Sequence, residues 1–249
     1  LGIRELIEAA AFHASPRPFI GRPMKAGKEE IIGLMTAIRL ALDADEDALF
    51  MYGGRGPYGS YDYHHLHKYF FSNNTWWDMG SFEGVGRYGY GMDVSDHMDR
   101  IFIFGGVNRT GGYRQDLLEI SYDGTINTSY DPIGGPGPSA YPGIVCTEVV
   151  SSNVYIYLVG GYNGTFSDQV WRFDVNSETW SLIDTNGGAS IPEHDDPAIC
   201  FKHSTNTIFI FGGISNGFNP NVLYSFSHDT QIWTSLFTPA LAPINREGA

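Results

Sequence analysis

Four short stretches carry residue types that do chemistry. HHLH at 64–67 puts His65 and His67 on one face of a strand, two imidazoles of the kind that ligate metal. Zinc needs more ligands than two, the spacing offers no further one, and no metal site is expected. DADED at 43–47 and DVSDHMD at 93–99 are acidic runs without the glycine and closing glutamate of a calcium loop, so both read as solvated turns. PEHDDP at 192–197 sets His194 beside Asp195 and Asp196, the ingredients of a general acid–base pair. Cys146 and Cys200 are too few for a disulfide framework and read as buried free thiols. Asn73, Asn108, Asn127 and Asn163 stand in N-x-S/T sequons, acceptors for glycosylation if the chain is secreted. No catalytic residue and no cofactor is expected among them.

These residues need a frame to hold them, and the frame is written as a repeat. Four apolar runs each close on a Gly-Gly pair: LFMYGG at 49–54, IFIFGG at 101–106, YIYLVGG at 155–161 and IFIFGG at 208–213. The first glycines, Gly53, Gly105, Gly160 and Gly212, are followed by Gly54, Gly106, Gly161 and Gly213; their steps are 105 − 53 = 52, 160 − 105 = 55 and 212 − 160 = 52. Before each pair the sequence reads strand, polar turn, strand; after it come a variable loop and a third strand. A tryptophan stands nine residues beyond a fixed place in that third strand: His67 to Trp76, Trp171 to Trp180, Tyr224 to Trp233. The second repeat has Leu118 and Asn127 there. In both IFIFGG copies alternation puts the phenylalanines on one strand face and the isoleucines on the other, so both faces are apolar and the strand is expected between layers. The glycines read as structural, with no phosphate-binding spacing after them.

Strands grouped in fours at a period near fifty, each second strand ending in a double glycine, resemble the kelch repeat, with QVWRFDVNSETW after YLVGG as the best match. The resemblance implies an all-β fold, a kelch-type β-propeller of about four four-stranded blades over 36–236, stacked because a lone blade leaves two apolar faces bare. Residues 1–35 fall outside the repeat and read as a short helix and linker. Arg87 precedes Gly105 by 105 − 87 = 18, and His194 precedes Gly212 by 212 − 194 = 18; Arg246, in 237–249, looks like the lead-in to a further blade. The chain is therefore expected to be an incomplete piece of a larger ring. Its start, LGIRELIEAAAFHA, lacks an initiating Met and a signal-peptide layout, which fits a fragment or processed product.

The resemblance also implies where to look for function. In kelch propellers the loops after the glycine pairs and the loops between blades share one face, which commonly binds a partner. Here they carry Arg55, Tyr58, Tyr61, Arg87, Arg109, Tyr113, Arg114, His194 and Phe218, and Arg and Tyr are the residues enriched at binding hot spots. The reading is a protein-interaction module that takes a protein or peptide, acidic in character because guanidinium groups pair with carboxylates. Two other readings follow from the resemblance: a kelch-fold enzyme of the copper-oxidase or sugar-acid-epimerase kind, and a glycosylated extracellular recognition module. The formal net charge of −13 argues against nucleic acid as a partner, and no apolar run approaches the ~20 residues of a membrane span. Cytoplasm and secretion both remain open.

Overall fold

The computed structural model describes residues 48–54, 64–82, 86–125, 127–130, 133–149, 153–183, 191–215 and 222–236. The expectations for 1–35 and 237–249, the acidic run at 43–47, and Arg55, Tyr58, Tyr61 and Phe218 lie outside these residues.

The period becomes four antiparallel sheets. Blade 1 contributes β1 (Ala48–Tyr52), β2 (His65–Phe70) and β3 (Thr75–Ser81). A short pair, β4 (Arg87–Tyr88) with β7 (Val107–Asn108), ties the lead-in of blade 2 to the residues after its glycines. Blade 2 is β5 (Gly91–Ser95), β6 (Arg100–Phe104), β8 (Leu117–Ser121) and β9 (Asn127–Tyr130). Blade 3 is β10 (Gly143–Val149), β11 (Asn153–Val159), β12 (Val170–Asp174) and β13 (Thr179–Leu182). Blade 4 is β14 (Ala198–Lys202), β15 (Thr207–Phe211), β16 (Leu223–Ser227) and β17 (Ile232–Leu236). Within each sheet the strands neighbour one another in chain order, as hairpin-connected β-rich sequence requires.

Apolar alternation on both strand faces is used as expected. In β6, Ile101 and Ile103 pack with Phe50, Tyr52 and Leu66 of blade 1, while Phe102 and Phe104 pack with Ile156, Leu158 and Phe173 of blade 3. All four are fully buried. In β15, Ile208 and Ile210 are buried against Tyr157 and Val159 of blade 3, whereas Phe209 and Phe211 on the opposite face are half-buried. The tryptophans follow the same logic. Trp233 is buried in the seam between blades 3 and 4, and Trp180 lies against Phe104 and Phe173. Trp171 packs on the same seam between blades 2 and 3. Trp76 holds the corresponding register, opposite Tyr69, yet is 53% exposed. Its partner surface would be a blade before blade 1, and no described residue supplies one.

The glycine pairs do more than end strands. The N–H of the second glycine in the first three pairs donates to the carbonyl of a residue in the lead-in to the next blade: Gly54 to Arg87 at 3.1 Å, Gly106 to Ser139 at 2.8 Å, Gly161 to His194 at 2.8 Å. The offset is constant, 87 − 54 = 139 − 106 = 194 − 161 = 33. The first glycine sits under the same strand of backbone. At Gly105 (φ +69°) a Cβ would overlap the Ser139 carbonyl oxygen, and at Gly160 (φ +69°) the His194 carbonyl oxygen. Left-handed backbone and contact with a carbonyl both exclude a side chain.

Two cysteine and acid expectations are corrected. Cys146 is buried, but Cys200 is exposed, because it lies on the outward face of β14 with Phe209 as its cross-strand neighbour. Asp93 is not a turn residue: it lies buried in β5 and its Oδ2 accepts the Cys146 N–H of blade 3 at 2.8 Å. Only the Asp96–Asp99 end of that acidic run makes the turn.

Replacing Gly105 with Ala should cost about 3 kcal/mol in denaturant unfolding, from strained φ and backbone overlap together. Gly137→Ala is the control: a Cβ there meets nothing within 4 Å, and the change should stay within about 0.5 kcal/mol.

Candidate functional site

Because the glycine pairs of blades 2 and 3 are pinned to the next lead-ins, the loops that follow these two pairs emerge side by side. The loop of blade 2 is closed by its own backbone. Asn108 N–H donates to Gly112 carbonyl at 2.9 Å, and Arg114 N–H to Gly106 carbonyl at 2.9 Å. The Asn108 side chain fills the centre, its Oδ1 accepting from the backbone N–H of Thr110 (3.0 Å) and of Gly112 (2.8 Å) and from the Thr110 hydroxyl (2.8 Å). Arg109 is exposed at the tip and Tyr113 is 36% exposed beside it.

Tyr113 is the start of an aromatic ridge that crosses from one blade to the next. Its ring stands edge-on to Tyr162 of blade 3 at 6.2 Å, and Tyr162 meets Phe166 at 5.1 Å. Burial, followed by the neighbouring phenols of Tyr162 and Tyr88, raises the Tyr113 pKa, so it stays a neutral donor. Tyr162 and Phe166 were not singled out from the sequence, although both stand in the loop YNGTF. The usable signal was position: Tyr162 directly follows a glycine pair, as Val107 does, and its cross-blade ring contact needed the loop geometry.

Beneath the ridge lies a charged cluster. Arg87 is fully buried; it donates through Nη1 to the Gly105 carbonyl at 2.8 Å and through Nη2 to Asp116 Oδ2 at 2.6 Å. Arg114 holds the same carboxylate in a fork, Nε to Oδ1 at 3.0 Å and Nη2 to Oδ2 at 3.2 Å. Burial alone would raise the Asp116 pKa; the hydrogen bonds from Arg114 and Arg87 outweigh it and hold the carboxyl below its usual value of 3.8. Two guanidinium groups thus share one carboxylate.

The predicted contact residues therefore separate. Arg109, Tyr113 and Arg114 come together on the loop face. Arg87 does not present itself to solvent: it is a clamp inside blade 2, since a lead-in residue whose carbonyl is latched turns its side chain into the seam. His194 is corrected for the same reason, at 1% exposure, with Nδ1 at 2.5 Å from the Pro192 carbonyl. Asp195 is likewise buried. The histidines at 64–67 sit apart on β2. Asp78 holds His65 through Nδ1 at 2.9 Å, and the His65 and His67 rings lie face to face at 6.1 Å rather than converging. Among the sequons, Asn73 and Asn163 are exposed and Asn108 is half-buried within its loop.

The comparisons with known proteins agree with this geometry. The Attractin/LZTR1 beta-propeller family model matches residues 42–246. The chain belongs to that propeller family. Relatives include the human Rab9 effector protein with kelch motifs, 26% identical over 179 residues that make up 70% of this chain and 45% of the relative. Human Kelch domain-containing protein 10 is 22% identical over 219 residues, 78% of this chain and 47% of the relative. Bovine Kelch domain-containing protein 3 is 29% identical over 141 residues, 54% of this chain and 34% of the relative. The chain thus spans less than half the length of each of these three. Membership in the Attractin/LZTR1 propellers, together with the kelch-named relatives, marks the chain as a kelch-repeat propeller and, in general terms, as a protein-interaction module. No described helix is long and apolar enough to cross a membrane.

Asp116→Asn should destabilise by roughly 2–4 kcal/mol at neutral pH, because it removes a counter-charge bound to the buried Arg87. The Asp116 pKa is depressed in the folded state, so its contribution is present above pH 3.8 and is lost as pH falls through the folded value. Denaturant melts at pH 7 and pH 3 should accordingly show the gap between wild type and variant narrowing in acid.

Proposed function

We propose that the loop face over blades 2 and 3 binds an acidic, extended segment of a protein partner. The supporting observation is the Arg87–Asp116–Arg114 cluster. In a chain of net charge −13, Asp116 holds a guanidinium, that of Arg114, in a fixed orientation next in sequence to exposed Tyr113. A carboxylate brought by a partner would pair with it, and charge-assisted hydrogen bonds to a guanidinium already held in place lose little side-chain entropy. Arg109 at the loop tip adds attraction at longer range.

The ridge supplies the other half of the contact. Tyr113, Tyr162 and Phe166 present apolar ring area, and the two tyrosines add polar tips, the combination that anchors interfaces. Asp116 is a positioning residue here: it sets the Arg114 side chain beside Tyr113. One relative is named as a Rab9 effector, and that name supports a protein as the class of partner without specifying which.

A displayed library of random peptides, selected on the wild-type chain, should enrich sequences with Asp or Glu beside an apolar residue. Their affinity should fall about tenfold or more in Tyr113→Ala and in Arg109→Ala/Arg114→Ala, an effect of ~1.4 kcal/mol or more. It should also fall with added salt. Selection of the same peptides with undiminished affinity by both variants would remove this face as the binding site.

A further inference from the structure

The seam between blades 3 and 4 differs from its neighbours in one chemical respect: both of its special polar positions are histidines. Three lead-in residues have their carbonyls latched by a second glycine, and they are Arg87, Ser139 and His194. At the other end of the blades, the residue after the third strand donates its N–H across the turn: Tyr122 to Asp99, Val175 to Val154 and His228 to Asn206. Only blade 4 has histidine at each of these places, His194 and His228.

Neither imidazole is set up to be charged. The Pro192 carbonyl can only accept, so His194 Nδ1 carries the proton and Nε2 is left with a lone pair. That Nε2 is buried without a hydrogen-bond partner. A Cβ on Gly160 would lie 3.2 Å from Nε2 and 3.3 Å from Cδ2, so the ring edge abuts the glycine of blade 3. Protonating Nε2 would add a second N–H at a buried atom that has no hydrogen-bond partner. The groups around the ring are its own neighbours Glu193, Asp195 and Asp196, Asp168 of blade 3, and Tyr224 across a small cavity. Asp168 favours the charged form, but burial dominates and lowers the His194 pKa.

His228 reaches across the same seam. Its Nδ1 is 2.8 Å from the Tyr157 hydroxyl of blade 3, and its ring lies 5.2 Å from that of Tyr155. Burial pushes the Tyr157 phenol up to about 12, so it donates to a neutral imidazole. Arg172, stacked over Tyr155 at 5.0 Å, adds a positive charge nearby. Burial and then Arg172 lower the His228 pKa, against the smaller opposing effect of Asp229.

We propose that the seam between blades 3 and 4 is an acid-sensitive joint, closed when His194 and His228 are neutral and loosened when they are protonated. His194 is the stronger element, because its backbone is the latch: its carbonyl accepts from Gly161 and its N–H donates to Ser167, each on blade 3. The sign follows from proton binding. Both histidines take a proton less readily docked than free, so docking is strongest above the ordinary histidine value of 6.5 and weakens as pH falls from there towards the folded values. The other two seams hold Arg87 and Ser139 at the latch and do not titrate in this range.

Amide exchange read by mass spectrometry, at pH 7.5 and pH 5.5 with intrinsic rates corrected, tests the joint in the intact chain. Protection of β14 to β17 should fall roughly tenfold or more at the lower pH relative to β5 to β9. Trp233, 1% exposed in this seam, should report the same change by fluorescence. His194→Gln/His228→Gln keeps hydrogen-bonding side chains that cannot charge, and its protection should be the same at both pH values. Equal protection of blades 2 and 4 in acid, or acid loosening that persists in the double variant, overturns the proposal. Should the double variant not fold, the wild-type imidazole resonances decide: a His194 titrating at or above 6.5 overturns it equally.

Discussion

The propeller hangs on a hydrogen bond that involves no side chain. In the first three pairs the N–H of the second glycine reaches a carbonyl 33 residues ahead, and through it blades 1, 2 and 3 each hold the beginning of the next. The bond requires the lead-in backbone to pass directly over the first glycine, where any Cβ would collide with the carbonyl oxygen. This couples two demands that are usually separate. The glycines must adopt positive φ to end the strand, and they must also be bare so that a neighbouring chain can lie on them. Seams of apolar side chains supply most of the burial energy, yet they are nondirectional. The latch is what sets the angle at which one sheet meets the next.

Since the latch uses only backbone, the side chain at the latched residue is free to differ, and the three seams have diverged at that point. Arg87 folds back into its own blade and forms a clamp with the Gly105 carbonyl and Asp116. Ser139 sits under Gly161, so closely that a Cβ there would overlap its hydroxyl oxygen. His194 turns its ring edge to Gly160. The same backbone position thus yields a charged clamp, a small polar contact and a titratable one, without altering the repeat. The electrostatic character of each seam, and of the loops above it, follows from one residue in the lead-in.

Much of the frame was legible in the sequence because it depends on local pattern. The spacing of the glycine pairs, the phenylalanine and isoleucine alternation in IFIFGG, and the strand–turn–strand runs all translate directly into register and burial. What was not legible depends on direction. Arg87 and His194 occupy loops by sequence, and Arg and His in loops read as surface; only the latched backbone shows that they point into a seam. Tyr162 and Phe166 become a site through a neighbour in another blade, Tyr113, at 6.2 Å from Tyr162. Asp93 looked like one more acid in a turn, while its strand position lets it accept an N–H from the adjacent sheet. Trp76 carries the repeat's spacing but lacks, among the described residues, the blade its spacing was made to meet.

The clamp in blade 2 also sets a guanidinium on the loop side of a chain that is acidic overall. A buried guanidinium such as Arg87 requires a carboxylate, and Asp116 answers it from the end of the loop. That carboxylate has oxygen left for a second donor, and Arg114 takes it from the loop side. The internal charge requirement of the seam is thereby passed outward as an oriented arginine next to Tyr113. In blade 4 the corresponding seam holds a neutral imidazole in place of the guanidinium, so no counter-charge is demanded. The residue just before the third strand there is Val222, where blade 2 has Asp116. The two seams therefore differ for a structural reason: the one that buries an arginine uses a carboxylate that also orients a second guanidinium on the loop side, and the one that buries a histidine demands no carboxylate while the ring is neutral.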